Sequence, residues 1–321
     1  MKKVVSIGEI LGRFTALNDS IKDAKTFSFS YGGSEANVLI SLSSLGEKCV
    51  YITRLPTDSF GDGAIDLLRK YDIDTNYITF DSNYNLGFYY WENVSQDRSI
   101  NAIYNRKNSA ATHINIKDYN LQDLFKDASL FHFSGISIVL SEQMRNFIKE
   151  CIKYAKKNNI PISFDFNYRK SLLSIDEAKD FYKEFIYDVD YVFCSIWDLK
   201  TFLNLEDKTD EEVINYAKVL YKYIFMKNGT LISANKKSIY AICYTKDSKI
   251  ISKEFTFEIV DRVGAGDAFC AGVLHGLLNN IEISKTLDYG IANLVLEQSI
   301  HLDYSTFNEN DIDEYLLNGK I

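Results

Sequence analysis

The stretch DRVGAGDAFCAG occupies residues 261–272. Gly264, Ala265 and Gly266 are small residues placed directly before a helix that the pattern starts near Asp267. The free N–H groups and the dipole of a helix start make an anion site, and small residues let a phosphate approach the backbone. A carboxylate at that point is at odds with a loop that only binds phosphate, because like charges repel. It fits a loop where Asp267 takes a proton from a hydroxyl while the N–H groups neutralise charge forming on a transferred phosphoryl group. The other reading makes Asp267 a helix cap and the glycines a tight turn. These twelve residues alone leave both open.

Outward from this stretch, strand-like runs alternate with helix-like runs. Residues 4–7, 49–53, 130–133, 161–166, 191–194 and 230–233 are short and apolar or β-branched. Residues 34–45, 61–71, 142–158, 211–222, 265–278 and 284–298 carry helical spacing. Such alternation predicts an α/β protein with a parallel sheet covered on both faces. Residues 79–112 break the rhythm, being rich in aromatics such as Phe88, Tyr89, Tyr90 and Trp91 and lacking a helical period. They are expected to form antiparallel strands of a small β lid, joined by residues 11–31. Only Tyr89 and Trp91 can face a pocket from their strand, since side chains alternate. A lid with one apolar face tends to find a partner, so a homo-oligomer through the lid is expected.

Composition narrows the classes. The chain has 321 residues, with 36 Lys+Arg, 44 Asp+Glu and a net charge of −8. Hydrophobic residues make up 46% and charged residues 25%, the values of a globular protein rather than a disordered or fibrous one. The acidic balance argues against nucleic acid or an anionic membrane as partner, because both need a basic footprint. It leaves a small anion open. The longest uncharged stretches, such as residues 128–141, have 14 residues, too few to span a bilayer. The apolar run after Lys2 and Lys3 is too brief for a signal peptide. Cys49, Cys151, Cys194, Cys243 and Cys270 form no CxxC pair, which points to reduced thiols in the cytoplasm and against structural zinc. The four histidines are scattered, and no metal ligands stand out.

Three further segments carry polar groups where ligands bind. YGGSEANVLISLSSLG, residues 31–46, sets Gly32 and Gly33 before a helix, with Asn37 on its first turn. YNRKNSAAT, residues 104–112, sets Tyr104 and Arg106 on one side of a strand. SFDFNYRKSLL, residues 163–173, gathers Asp165, Asn167 and Arg169 at a strand's C-terminal end, where open α/β sheets bind ligands. Arg106 and Arg169 could each grip a carboxylate, or each could form a surface ion pair.

In their order and spacing, these segments resemble the ribokinase-like (PfkB) carbohydrate kinases, over residues 3 to about 316. GGSEAN and GAGDAF look like the two family signatures, and LPTDSFGDGAIDLLRKYDID, with Asp58 and Gly61, looks like a third family stretch. YNRKNSAAT and SFDFNYRKSLL look most like 2-keto-3-deoxygluconate kinases, although fructokinases share parts of both. The resemblance implies a Rossmann-like three-layer αβα sandwich with a β lid, formed by residues 1–321 as one kinase domain. It implies transfer of the ATP γ-phosphoryl group to a primary sugar hydroxyl, with Mg²⁺ and a monovalent cation as further components. Asp267 matches the catalytic base, and Gly264, Ala265 and Gly266 match the anion hole. Gly33, Tyr89, Tyr104, Arg106, Arg169 and Asp303 match sugar-acid contacts. Ser233 and Asn235 fall in SANKKS, residues 233–238, where the family's K-L-G-x-x-G nucleotide loop is expected. Asn235 stands for its first glycine and Ser238 for its second.

The chain departs from the family pattern elsewhere. Arg262-Val263 replaces Thr-Thr or Thr-Val, and the N-x-x-E motif reads Ser195-Ile196-Trp197-Asp198. Arg13 stands where an acidic or amide residue often meets the sugar; it could be a third carboxylate contact or point to solvent, and solvent is the expectation. The alternatives are a kinase for fructose or another neutral sugar, and a sugar-binding protein that has lost catalysis.

Overall fold

Strand Lys3–Ile7 lies mid-sheet and sets the topology of the protein, described here from a computed structural model covering residues 2–17, 20–93, 102–233 and 235–320. Strands Lys48–Pro56 and Ile78–Asp81 follow on one side of it. Ala128–Ser134, Ile162–Asp165, Tyr191–Phe193 and Tyr223–Ser233 follow on the other. All these neighbours pair in parallel. The order reverses around Lys3–Ile7, so the chain leaves a crevice at the carboxyl ends of the central strands.

These strands read as nearly unbroken apolar runs because both faces are covered. Val4, Tyr51, Leu130 and Phe225 pack on one face with helices Ser34–Ser44, Ala265–Leu278 and Ile283–Glu297. Val5, Ile52, Phe131 and Ile224 pack on the other with helices Glu142–Lys157 and Asp210–Leu220. The molecule is a three-layer α/β sandwich. Helix Ala265–Leu278 is buried along almost its whole length, which holds its N-terminus fixed.

The sheet is not parallel throughout. Lys236–Tyr244, Lys249–Ile251 and Phe255–Glu258 extend it with antiparallel pairing. The expected short strand at residues 230–233 is the far end of the longer Tyr223–Ser233. The polar, lysine-bearing half of that hairpin carries no apolar alternation to reveal it.

A second sheet of four strands has the order Phe27–Gly32, Leu11–Leu17, Gly87–Asn93, Ala102–Asn105. Two corrections follow. Leu11–Leu17 and Gly87–Asn93 run parallel, whereas antiparallel strands were expected. Ile78–Asp81, at the edge of the expected lid stretch, pairs with the main sheet. The lid stretch also includes residues 94–101, which lie outside the described residues. On one side the small sheet shows Arg13, Thr15, Tyr89, Trp91 and Tyr104. On the other it shows Phe14, Phe29, Phe88 and Tyr90.

Candidate active site

Helix Ala265–Leu278 begins one residue after Gly264, whose φ of 92° is left-handed. Glycine is needed there twice over, since a side-chain carbon would also come 2.0 Å from the carbonyl oxygen of Asp303. The cap is therefore Gly264 and not Asp267, which removes the capping reading of that carboxylate. The N–H groups of Ala265, Gly266 and Asp267 have no carbonyl one turn back to bond.

Asp267 sits in the first turn with its carboxylate held by the facing helix Ser34–Ser44. Ser34 donates its hydroxyl at 2.8 Å and Asn37 its amide at 2.8 Å. Asn167 in turn donates to the Ser34 hydroxyl at 2.8 Å. Three separate sequence segments thus fix one carboxylate. Burial pushes the Asp267 pKa up to about 7; the Asn37 bond opposes this, and nearby Asp165 adds to it. Asp165 is itself pushed up to about 6 by burial, against the pull of Lys227 and Arg169.

Lys227 was not singled out in the sequence. The residue as a whole is exposed, yet its ammonium is tucked inward, 5.1 Å from the Phe269 ring centroid. A side-chain carbon on Gly266 would lie 3.4 Å from the Lys227 nitrogen. Burial lowers its pKa, opposed by the charges of Asp165 and Asp267. A signal was present. Lys227-Asn228-Gly229 has the K-x-G spacing of the nucleotide loop, six residues before the segment at 233–238. Ser233 and Asn235 lie at the tip of the hairpin, where the Asn235 carbonyl accepts the N–H of Ile259 at 2.6 Å.

The remaining sugar-side candidates divide. Gly33 caps the Ser34–Ser44 helix, and a side-chain carbon there would come 2.1 Å from the Glu9 carbonyl oxygen. Tyr104 is exposed and stacks on Tyr89 at 5.7 Å between ring centroids. Arg106 is only 8% exposed. It donates through Nε to Glu9 at 2.6 Å and forms an ion pair with the same oxygen, while Ser109 bonds the other. Arg169 is exposed and forms no ion pair among the described residues. A cavity of about 600 Å³ opens beside Tyr104 and Arg106, bounded by Ser141, Ser171 and Leu172. That volume suits a small ligand.

Asp303 is buried, with one oxygen bonded by Arg13 and the other by the Tyr89 hydroxyl. Arg13 corrects an expectation. It is 2% exposed, not in solvent, and its guanidinium also meets Asp261 at 2.6 Å. Its strand faces inward, and a buried guanidinium persists only with paired carboxylates. Behind Gly264 lies Glu297, whose carboxyl oxygens have no hydrogen-bond partner among the described residues. Burial, then the charges of Asp303, Asp267 and Asp261, push it up to about 10, so it is neutral at pH 7.

Comparison with known proteins gives this geometry a family. A model of the "pfkB family carbohydrate kinase" matches residues 1–299. The chain is 26% identical over 321 residues to a 2-dehydro-3-deoxygalactonokinase of Haloferax volcanii, covering 99% of this chain and 97% of that one. It is 26% identical over 309 residues to a 5-dehydro-2-deoxygluconokinase of Clostridium perfringens, covering 93% and 87%. The crystal structure of 2-dehydro-3-deoxygluconokinase from Thermotoga maritima superposes with a TM-score of 0.93 at 26% identity, over 99% of this chain and 98% of that one. The chain belongs to the PfkB family of carbohydrate kinases and is a sugar kinase.

Proposed function

We propose that the chain phosphorylates the terminal hydroxyl of 2-keto-3-deoxygluconate, or of a close sugar acid, with ATP and Mg²⁺. The observation that carries this is the placement of Asp267 at the start of a buried helix, bonded by Ser34 and Asn37 with Lys227 and Arg169 nearby. A base with pKa near the working pH combines the right protonation state with enough driving force. Asp267 accepts the hydroxyl proton as the sugar oxygen attacks the γ-phosphorus. The phosphorus–oxygen bond to the departing ADP breaks, and the amides of Ala265, Gly266 and Asp267 take up charge on the transferring group. Lys227 adds a cation on the nucleotide side.

Among the described residues, no cluster of three or more His, Cys, Asp or Glu side chains converges to hold a bare metal ion. A magnesium ion carried on nucleotide phosphates needs only one or two carboxylates and keeps its waters. Asp165 and Asp198 fit that role. They stand close enough for the Asp198 charge to raise the Asp165 pKa, a repulsion that a cation between them would relieve. When bound, the ion would neutralise phosphate charge.

On the sugar side, Tyr89 and Tyr104 cover the sugar, Gly33 admits it, and Arg169 takes the carboxylate. Ser233 and Asn235 are assigned to the nucleotide side. The small sheet acts as lid to one kinase domain, and its outer aromatic face joins two copies. The protein works in the cytoplasm, in keeping with five free cysteines. No helix among the described residues is long and apolar enough to cross a membrane.

One observation favours a second reading, a neutral-sugar kinase: Arg106 and Arg13 are already paired with Glu9, Asp261 and Asp303. A phosphorylation assay with a panel of sugar acids and fructose, with and without potassium, tests both readings. Turnover of fructose and of no sugar acid would discard the first.

A further inference from the structure

We infer that Arg13 is a positioning residue that couples the small sheet to the phosphoryl-binding loop; this rests on the kinase reading above. Arg13 projects from strand Leu11–Leu17 of the small sheet. Its Nη2 lies 2.6 Å from Asp261 Oδ2, its Nη1 bonds Asp303 Oδ1, and its Nε donates to Thr15 at 2.9 Å. Asp261 opens the segment that leads into Gly264. Its second oxygen accepts the N–H groups of Arg262 at 2.7 Å and Val263 at 3.2 Å. Asp303 also presses its carbonyl on Gly264 and receives the hydroxyl of Tyr89 from a second strand of the small sheet. Two strands of one sheet therefore reach one catalytic loop through two carboxylates.

The chemistry makes this a stiff connection. A guanidinium is a rigid planar fork that holds two carboxylates at fixed positions, whereas an ammonium is a point charge on a flexible stem that fixes neither. Asp261 and Asp303 are as deeply buried as Arg13. Separating the three strands buried charges without partners, a costly state. The small sheet cannot lift at Arg13 without loosening Asp261, and with it the backbone that sets the Gly264 turn. A sugar drawn under the sheet would in this way be sensed where the phosphoryl group is held. Arg13 acts through the loop and touches neither reactant.

The test uses two full-length variants. Asp261→Asn keeps an oxygen for the Arg262 and Val263 amides but removes the charge facing Arg13. Arg13→Lys keeps the charge but loses the rigid fork that fixes Asp261 and Asp303 relative to one another. Both should lower kcat by about 10- to 100-fold with the sugar KM within about threefold, because a misplaced loop costs rate rather than sugar binding. Amide hydrogen exchange at residues 262–266 should quicken in both. A kcat within about twofold of wild type, or exchange that quickens in the small sheet but not at residues 262–266, overturns the inference. If either variant does not fold, the triple change Arg13→Met, Asp261→Asn, Asp303→Asn leaves no charge unpaired, and there exchange at residues 262–266 alone decides, because Asp303 also stands among the matched sugar contacts. The exchange readout needs no turnover. A wild type that phosphorylates no sugar would therefore count against the kinase reading, while exchange still judged the coupling.

Discussion

As the proposed base, Asp267 would join catalysis and stability in one titration. Burial lifts its pKa to about 7 against the bonds from Asn37 and Ser34. The basic form is needed for proton abstraction, so kcat/KM for the sugar should rise with pH through about 7. Asp267→Asn should lose about 10²- to 10⁴-fold in kcat while still binding sugar, measured by turnover and by calorimetry. A variant with near-normal turnover would remove Asp267 as base. The same shift predicts a stability change. The folded protein holds this proton more tightly than the unfolded chain. The resulting stabilisation is complete below about pH 4 and fades as pH rises to about 7. Asn has no such dependence. Asp267→Asn should therefore be more stable than wild type above pH 7, by a few kcal/mol at most and read as a higher unfolding temperature, and the gap should shrink towards pH 4. Lys227 makes a second test at this scale. Its ammonium is the cation beside Gly266, so Lys227→Met should cut kcat/KM for ATP by about 10²-fold, read from initial rates. A loss below threefold would leave that ammonium without a phosphate role.

At the scale of elements, the small sheet has two chemistries because its side chains alternate. Its inner face carries Arg13, Tyr89 and Tyr104. Its outer face carries a ring cluster in which Phe14 lies 5.0 Å from Phe29, 5.5 Å from Phe88 and 5.4 Å from Tyr90. Phe29 remains 39% exposed, and Phe27 and Phe60 are similarly open. Phe29→Glu should shift the protein from dimer to monomer in sedimentation velocity while leaving the sugar-facing residues intact; a wild type that is monomeric throughout ends the dimer proposal. The parallel strands and their helices were legible because each is an apolar run with its own period. The antiparallel edge was not, since residues 236–258 mix lysines with apolar residues at a sheet margin where one side meets water. The parallel pairing of Leu11–Leu17 with Gly87–Asn93 was hidden for another reason. Local pattern gives a strand its faces but not its neighbour.

Taken as a whole, the molecule assigns its charges by partners that sequence spacing cannot reveal. GAGD and GGSEAN each marked a helix start, and Asp267 of the one meets Ser34 and Asn37 of the other across more than two hundred residues of chain. Arg13, Arg106 and Arg169 look alike on the page, each one a candidate for a substrate carboxylate. Folding separates them. Arg13 is enclosed by Asp261 and Asp303, and Arg106 by Glu9. Only Arg169 keeps its guanidinium in the open, beyond the strand end that bears Asp165. An exposed fork can reorganise around an incoming carboxylate without stranding a buried acid. Arg169→Ala should therefore raise KM for 2-keto-3-deoxygluconate by about 10- to 100-fold, the worth of one charge-assisted hydrogen-bonded contact, while any turnover of fructose stays within about twofold. Arg106→Ala makes the contrasting case, because it leaves Glu9 buried beside the pocket. Its effect should appear as lost thermal stability together with poorer kinetics for acid and neutral sugars alike. If Arg169→Ala leaves the acid KM unchanged and Arg106→Ala alone raises it, the carboxylate is read at the paired arginine, and Glu9 must release it when substrate enters.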